Sequence, residues 1–205
     1  SLKGYIDRMR HGEKDVLWKG GCKWFGKSSG TTNDKSKFIP VTPRGLRNIH
    51  YRGATDVVAQ YVVNNPSSRI FSGKSLILGG SHAPNYNLPG TLVGDLSAIL
   101  IENCPSLINK FRVPGKDIAL LSDFEEKMDR IATLTSGMNI TNISGVPSWM
   151  MAVLKHMLDI TGKEYIDELW PNLEVFFHGG VAFSSYREQY RNLIRNPKMQ
   201  YMETY

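Results

Sequence analysis

The chain has 205 residues, 41% hydrophobic and 21% charged, which is enough for one large or two small domains with a sizeable core and excludes a disordered or fibrous class. No apolar run approaches the roughly 20 residues that span a bilayer, and no charged-then-apolar leader opens the sequence, so a soluble protein with no membrane partner is expected. The formal charge of +6 is spread without a basic block, so a small anionic ligand or an ordinary solvated surface accounts for it and nucleic acid is not implied.

Residues 2–10 carry Leu2, Tyr5, Ile6 and Met9 at helical spacing and stop at His11-Gly12. Apolar alternation about Cys22, Trp24 and Phe25 predicts a strand, followed by a polar loop and a second strand ending near residue 42. Thr42 can cap a helix with Pro43 in its first position. This helix is expected to reach residue 65, with Ile49, Val57, Val58, Tyr61 and Val62 inward, although Gly45 and Gly53 weaken it.

Residues 75–78 read as a buried strand ending in Gly79-Gly80-Ser81, a place where α/β sheets build ligand sites. Residues 82–94 form a long loop, either functional or a plain surface excursion. Asp95 can cap a short apolar helix. Residues 118–121 then predict a strand, Ser122 and Glu125 a capping box, and residues 124–135 a helix.

A strand at 139–143 and the turn Ser144-Gly145-Val146-Pro147-Ser148 lead into a helix bearing Trp149, Met150, Val153, Leu154, Met157 and Leu158, a stripe that is more often core than pocket. A short helix over 161–169 follows. Residues 173–177 form a strand finishing on His178-Gly179-Gly180, where glycine admits a flat ring or serves close chain packing. Ser185 and Glu188 suggest a capping box for a helix to Arg195, and residues 199–205 a last strand. The alternation predicts an α/β fold with largely parallel sheets covered by helices.

Two cysteines, Cys22 and Cys104, lack metal or disulfide spacing and fit reducing, cytoplasmic conditions, while the histidines form no ligating pair, so no protein-held metal is expected. The polar loop is the candidate site. Ser28, Ser29, Thr31 and Thr32 surround Gly30, and Lys35 and Lys37 follow, so successive amides and hydroxyls can enclose a phosphate. The same residue types also build ordinary solvated hairpins.

Gly21 to Ser28 also satisfies the pattern G-x-x-x-x-G-K-[ST]. That motif works when a helix begins at its Lys and aims its N-terminus at the phosphates. Here Lys23-Trp24-Phe25 reads as strand, and turn-forming residues follow Lys27, so the match is accidental on this reading. A P-loop nucleotidase using Gly21 to Ser28, with Asp123 as its second acidic residue, stays as the alternative, beside a non-catalytic binding module.

Several stretches together resemble one family. Ser28-Ser29-Gly30-Thr31-Thr32 with Lys37 and Pro40, the lead-in Gly12-Glu13-Lys14-Asp15, Trp24-Phe25, Leu88-Pro89-Gly90, Gly145-Val146-Pro147-Ser148 and Phe177-His178-Gly179-Gly180 are similar to the acyl-acid amido synthetases of the auxin-responsive promoter group, within the adenylate-forming superfamily, in a bacterial-type form. The resemblance covers almost the whole chain. It implies that residues 1–205 are part of a large N-terminal ATP- and acyl-binding domain, with the rest of that domain and a mobile C-terminal domain outside the sequence.

The resemblance also implies a reaction. A carboxylic acid and ATP give an acyl-adenylate, and an amine, such as an amino acid, then forms an amide. Ser28, Ser29, Gly30, Thr31, Thr32 and Lys37 would hold the phosphates with Mg²⁺. Gly179, Gly180, Val181 and Tyr205 would border adenine, and Val146, Trp149 and Met150 the acyl group. Catalytic residues within this sequence are not identified, and the resemblance implies a catalytic Lys on the mobile C-terminal domain.

Overall fold

The computed structural model describes residues 2–28 and 37–204. α1 (Leu2–Arg10) stops beside Gly12, whose φ of +86° lets the chain turn out of the helix. β1 (Trp24–Lys27) and β2 (Phe38–Val41) pair antiparallel from Trp24↔Val41 to Lys27↔Phe38. Thr42 Oγ1 accepts from the Gly45 amide at 3.0 Å and opens α2 (Pro43–Gly45), as the cap pattern predicts.

The long helix expected next is broken. A π turn, Leu46–Tyr51, separates α2 from α3 (Arg52–Asn64). Such a turn inserts a residue and rotates the helical phase. Leu46 is therefore buried, whereas Ile49, expected inward, is 67% exposed. Val57, Val58 and Val62 are only half-buried, and Tyr61 alone of the predicted set is buried.

β3 (Lys74–Ile77) follows, and the long loop contributes β4 (Leu92–Gly94), which the sequence did not announce because three residues are too few for a period. Asp95 precedes α4 (Leu96–Glu102) but does not cap it with its side chain; its Oδ2 accepts from the Ser81 amide at 3.1 Å. Next come α5 (Ser106–Asn109), β5 (Arg112–Val113) and α6 (Lys116–Ala119). The strand predicted at 118–121 is thus replaced by a helical turn, because a short apolar run fits either state.

α7 (Phe124–Thr135) has the predicted bounds, but its cap is Asp123, which accepts from the Glu126 amide at 3.0 Å, instead of Ser122. β6 (Ile140–Gly145) and α8 (Pro147–Thr161) follow, and α8 ends at Gly162 with φ +65°. Of the helix predicted over 161–169, only the 3₁₀ turn Ile166–Glu168 forms. β7 (Val175–His178), α9 (Arg187–Leu193) and β8 (Gln200–Glu203) complete the order. Ser185 belongs to a 3₁₀ turn, and α9 begins after Tyr186 without a side-chain cap.

These elements form two compact units. The first, Ser1–Tyr61 with Gly80–Asn103, holds a sheet ordered β2-β1-β4, in which β1 and β4 run parallel. Successive strand residues face opposite sides. Accordingly Phe25 packs with Met9, Cys22 and Val93, while Trp24 packs with Val41, Leu46 and Ile99.

The second unit, Val62–Gly79 with Cys104–Tyr205, holds a five-stranded sheet ordered β5-β3-β6-β7-β8, parallel throughout. β7 is buried along its whole length, as a strand covered on both faces should be. Leu76, Ile143 and Phe176 from the strands join Ile131 of α7 and Met150, Leu154 and Met157 of α8 in one core. Trp170 is buried among them, and its Nε1 donates to the Thr135 carbonyl at 2.8 Å.

Candidate functional site

In the second unit the chain leaves β3 for β5 on one side and returns as β6 on the other before moving outward to β7. Connections from β3 and β6 therefore diverge, and in α/β sheets ligands bind at the carboxyl ends of strands beside such a point. Here that edge consists of Gly79 after β3, Gly145-Val146 ending β6, His178-Gly179-Gly180 ending β7, and Thr204 after β8.

Its glycines have distinct causes. A Cβ on Gly145 would come 3.0 Å from the Leu78 carbonyl oxygen, and one on Gly179 would come 3.1 Å from that of Thr204. The chain itself occupies those spaces, so close packing explains both residues. Gly180 adopts φ +87°, which side chains rarely tolerate, and a Cβ there would lie 3.3 Å from Val146 Cγ2. Val146 and the Gly179-Gly180 turn are thus neighbours. Val181 is 37% exposed just beyond.

Trp149 is 38% exposed at the start of α8 and tilts against Phe124 of α7, with ring centroids 6.0 Å apart. Met150, the next residue, points the other way and is fully buried in the core. Its contribution to an acyl pocket could only be as backing.

Two residues at this edge were given no role by the sequence reading. Lys127 is buried on α7, and its Nζ donates to the Gly79 carbonyl at 3.2 Å, placing an ammonium at the end of β3. The sign was present: Lys127, Ile131 and Thr135 share one helical face, and a charge in an apolar stripe calls for explanation. His178 is buried with its ring stacked on Phe183 at 4.1 Å, and its Nδ1 has no hydrogen-bond partner among the described residues.

Burial lowers the His178 pKa below its ordinary 6.5; Arg187 pushes it the same way, and Glu203 opposes them. The imidazole is therefore neutral at pH 7. It borders a pocket of about 280 Å³ lined also by Phe183, Arg187, Tyr201 and Glu203. Burial pushes the Tyr201 hydroxyl up to about 12, so it too is uncharged.

In the first unit, Ser28 and Lys37 form the neck of the polar loop. The Ser28 amide donates to the Lys37 carbonyl at 3.0 Å, and the Lys37 side chain is exposed. Ser29, Gly30, Thr31 and Thr32 lie outside the described residues, as does Tyr205. Lys27 lies at the end of a strand, with its Nζ 4.1 Å from the centre of the Tyr86 ring. A P-loop needs a helix there. Asp123 likewise caps a helix and follows no strand, so neither half of the nucleotidase pattern has its required setting.

Among the described residues no group of three or more His, Cys, Asp or Glu could hold a metal ion, and no helix is long and apolar enough to cross a membrane. The model of the GH3 family N-terminal domain matches residues 1–199. None of the curated proteins matches. Among solved structures, a GH3.15 acyl acid amido synthetase is similar with TM-score 0.66 and 17% identity over 93% of this chain and 42% of that one. A second, AtGH3.15 acyl acid amido synthetase in complex with 2,4-DB, gives TM-score 0.72 and 15% identity over 98% of this chain and 44% of that one. The chain therefore spans less than half the length of these structures.

Proposed function

This chain belongs to the GH3 family, and we propose that it is part of the large ATP- and acyl-binding N-terminal domain of an acyl-acid amido synthetase. The observation that supports this reading is the pairing of β1 with β2, which brings Ser28 and Lys37 together at the two ends of the Ser- and Thr-rich segment. The carboxylate oxygen of the acid attacks the α-phosphorus of ATP, the bond to the β-phosphate oxygen breaks, and pyrophosphate leaves. An amine then attacks the acyl carbon, AMP departs, and the amine nitrogen loses a proton.

The first step brings two anions together, so their charge must be offset and their approach held in line. Ser28, Ser29, Thr31 and Thr32 donate hydrogen bonds with the Gly30 amide, and Lys37 supplies positive charge. Mg²⁺ bound to the phosphates would share that neutralisation without a dedicated protein cage. Gly179, Gly180, Val181 and Tyr205 border adenine, and Val146 and Trp149 contact the acyl group with Met150 behind them. No covalent protein nucleophile is needed.

Acid-dependent exchange of labelled pyrophosphate into ATP, measured on the full-length protein with Lys37→Ala and Lys27→Ala, tests the assignment. At saturating MgATP the Lys37 variant should lose most exchange and the Lys27 variant should keep most of it. The reverse ranking would return the site to the P-loop pattern.

A further inference from the structure

The polar loop is gripped at its neck by side chains that no motif in the sequence marks. Lys27 closes β1 and Phe38 opens β2, and they are cross-strand partners, so both side chains leave the same face of the hairpin. Both reach Tyr86, which lies in a 3₁₀ turn, Pro84–Tyr86, within the long connection. The Phe38 and Tyr86 ring centroids are 5.8 Å apart, and Lys27 Nζ stands 4.1 Å from the Tyr86 centroid.

Arg10 joins them from the end of α1. Its guanidinium carbon lies 3.7 Å from the Phe38 ring centroid, and Nη2 donates to the Tyr86 carbonyl at 2.7 Å. Its Nε is buried with no hydrogen-bond partner among the described residues, so the ring face supplies that part of the group's electrostatic contact. Thr91 Oγ1 donates to the Arg10 carbonyl at 2.7 Å and fixes the base of the same residue.

We infer that Arg10, Phe38, Tyr86 and Lys27 form a clamp that positions Ser28 and Lys37 at the end of the β1-β2 hairpin for ATP, with Tyr86 as its centre; this rests on the adenylation reading of those two residues. Two cations on two rings hold the last strand pair before the loop, which keeps the Ser28 amide directed at the Lys37 carbonyl. Fixing the hairpin end holds Ser28 and Lys37 nearer the geometry that ATP requires and lowers the cost of ordering them on binding. Lys27 thereby acts as a positioning residue through Tyr86, which explains why a lysine stands there without a P-loop helix.

The test uses the full-length protein with Tyr86→Leu, which removes the ring but keeps apolar bulk, and Tyr86→Phe, which keeps the ring. Amide hydrogen exchange at Ser28 without nucleotide reads the clamp itself, and KM for MgATP against KM for the acid reads its use. Tyr86→Leu should speed Ser28 exchange and raise KM for MgATP about 10-fold, the size of one cation–ring and one ring–ring contact together, while KM for the acid moves less than about twofold. Tyr86→Phe should match the parent in both. Should Tyr86→Leu fail to fold, Arg10→Met carries the same expectations at smaller size.

Unchanged Ser28 exchange in a protein that turns over ATP would overturn the clamp alone, as would a Tyr86→Phe protein as impaired as Tyr86→Leu. A parent that releases no pyrophosphate with any acid overturns the adenylation reading and the role in ATP positioning together, even if exchange responds.

Discussion

The two units hold themselves together by different means. The second has one continuous core in which thirteen of the described side chains, among them Leu76, Ile143, Leu154 and Phe176, have no solvent exposure, and its candidate site is an edge where glycines let chain segments meet. The first has two small clusters on opposite faces of a three-stranded sheet, and the end of its β1-β2 hairpin is braced by rings and cations. Substitutions in the second unit should therefore register as lost stability, whereas those around the loop of the first should register as lost binding.

The largest expected effect probes the core. Leu154→Ala removes fully buried atoms between α8 and the sheet and should cost about 2–5 kcal/mol in denaturant unfolding. A cost under about 1 kcal/mol would mean that this core can collapse around a void, and the contrast between the units would weaken. In the first unit Lys37→Ala should instead lower acid-dependent pyrophosphate release about 100-fold, near 2.7 kcal/mol of transition-state stabilisation, with unfolding free energy moved by less than about 0.5 kcal/mol. Equal losses in both assays would assign Lys37 to folding.

Gly180→Ala tests the point where the second unit's packing meets its proposed adenine side. The strained φ should cost about 1–2 kcal/mol, and the methyl group beside Val146 should raise KM for ATP as well. Smaller still, Thr42→Ala removes the cap after β2 and should cost about 1 kcal/mol, read by thermal unfolding.

His178 supplies the finest distinction. Its folded-state pKa is depressed, so as pH falls the unfolded chain takes up the proton first, and the stability tied to the neutral ring is present above pH 6.5 and lost below it. His178→Asn should flatten the stability profile below that pH by at most about 1.4 kcal/mol per pH unit. An unchanged profile would show that the ring does not titrate differently in the folded state.

What could be read from the sequence follows the length of each pattern. α1, α7 and α8 each carry apolar residues over two or more turns, and their bounds or faces agree with expectation. The parallel sheet was legible because helices alternate with strands from β5 onward. β4 and β5 span three and two residues, and neither can display a period. α6 looked like a strand because Ile118-Ala119-Leu120-Leu121 fits both states, and the π turn was hidden because nothing local distinguishes it from a weakened helix.

At the strand ends, the turns at Gly145, Gly179 and Gly180 were legible because glycine marks close approach or a positive φ. Lys127 was overlooked although its charge interrupts an apolar face. The grip of Arg10 and Tyr86 on the loop neck could not be read at all, because it joins residues 76 positions apart that share no motif.

The most direct measurement of the central claim is the identity of the phosphate product when the full-length protein meets MgATP and a panel of carboxylic acids. Pyrophosphate and AMP, formed only when a suitable acid is present, are the predicted result. Orthophosphate and ADP, released without any acid, would contradict the adenylation reading and restore the nucleotidase one.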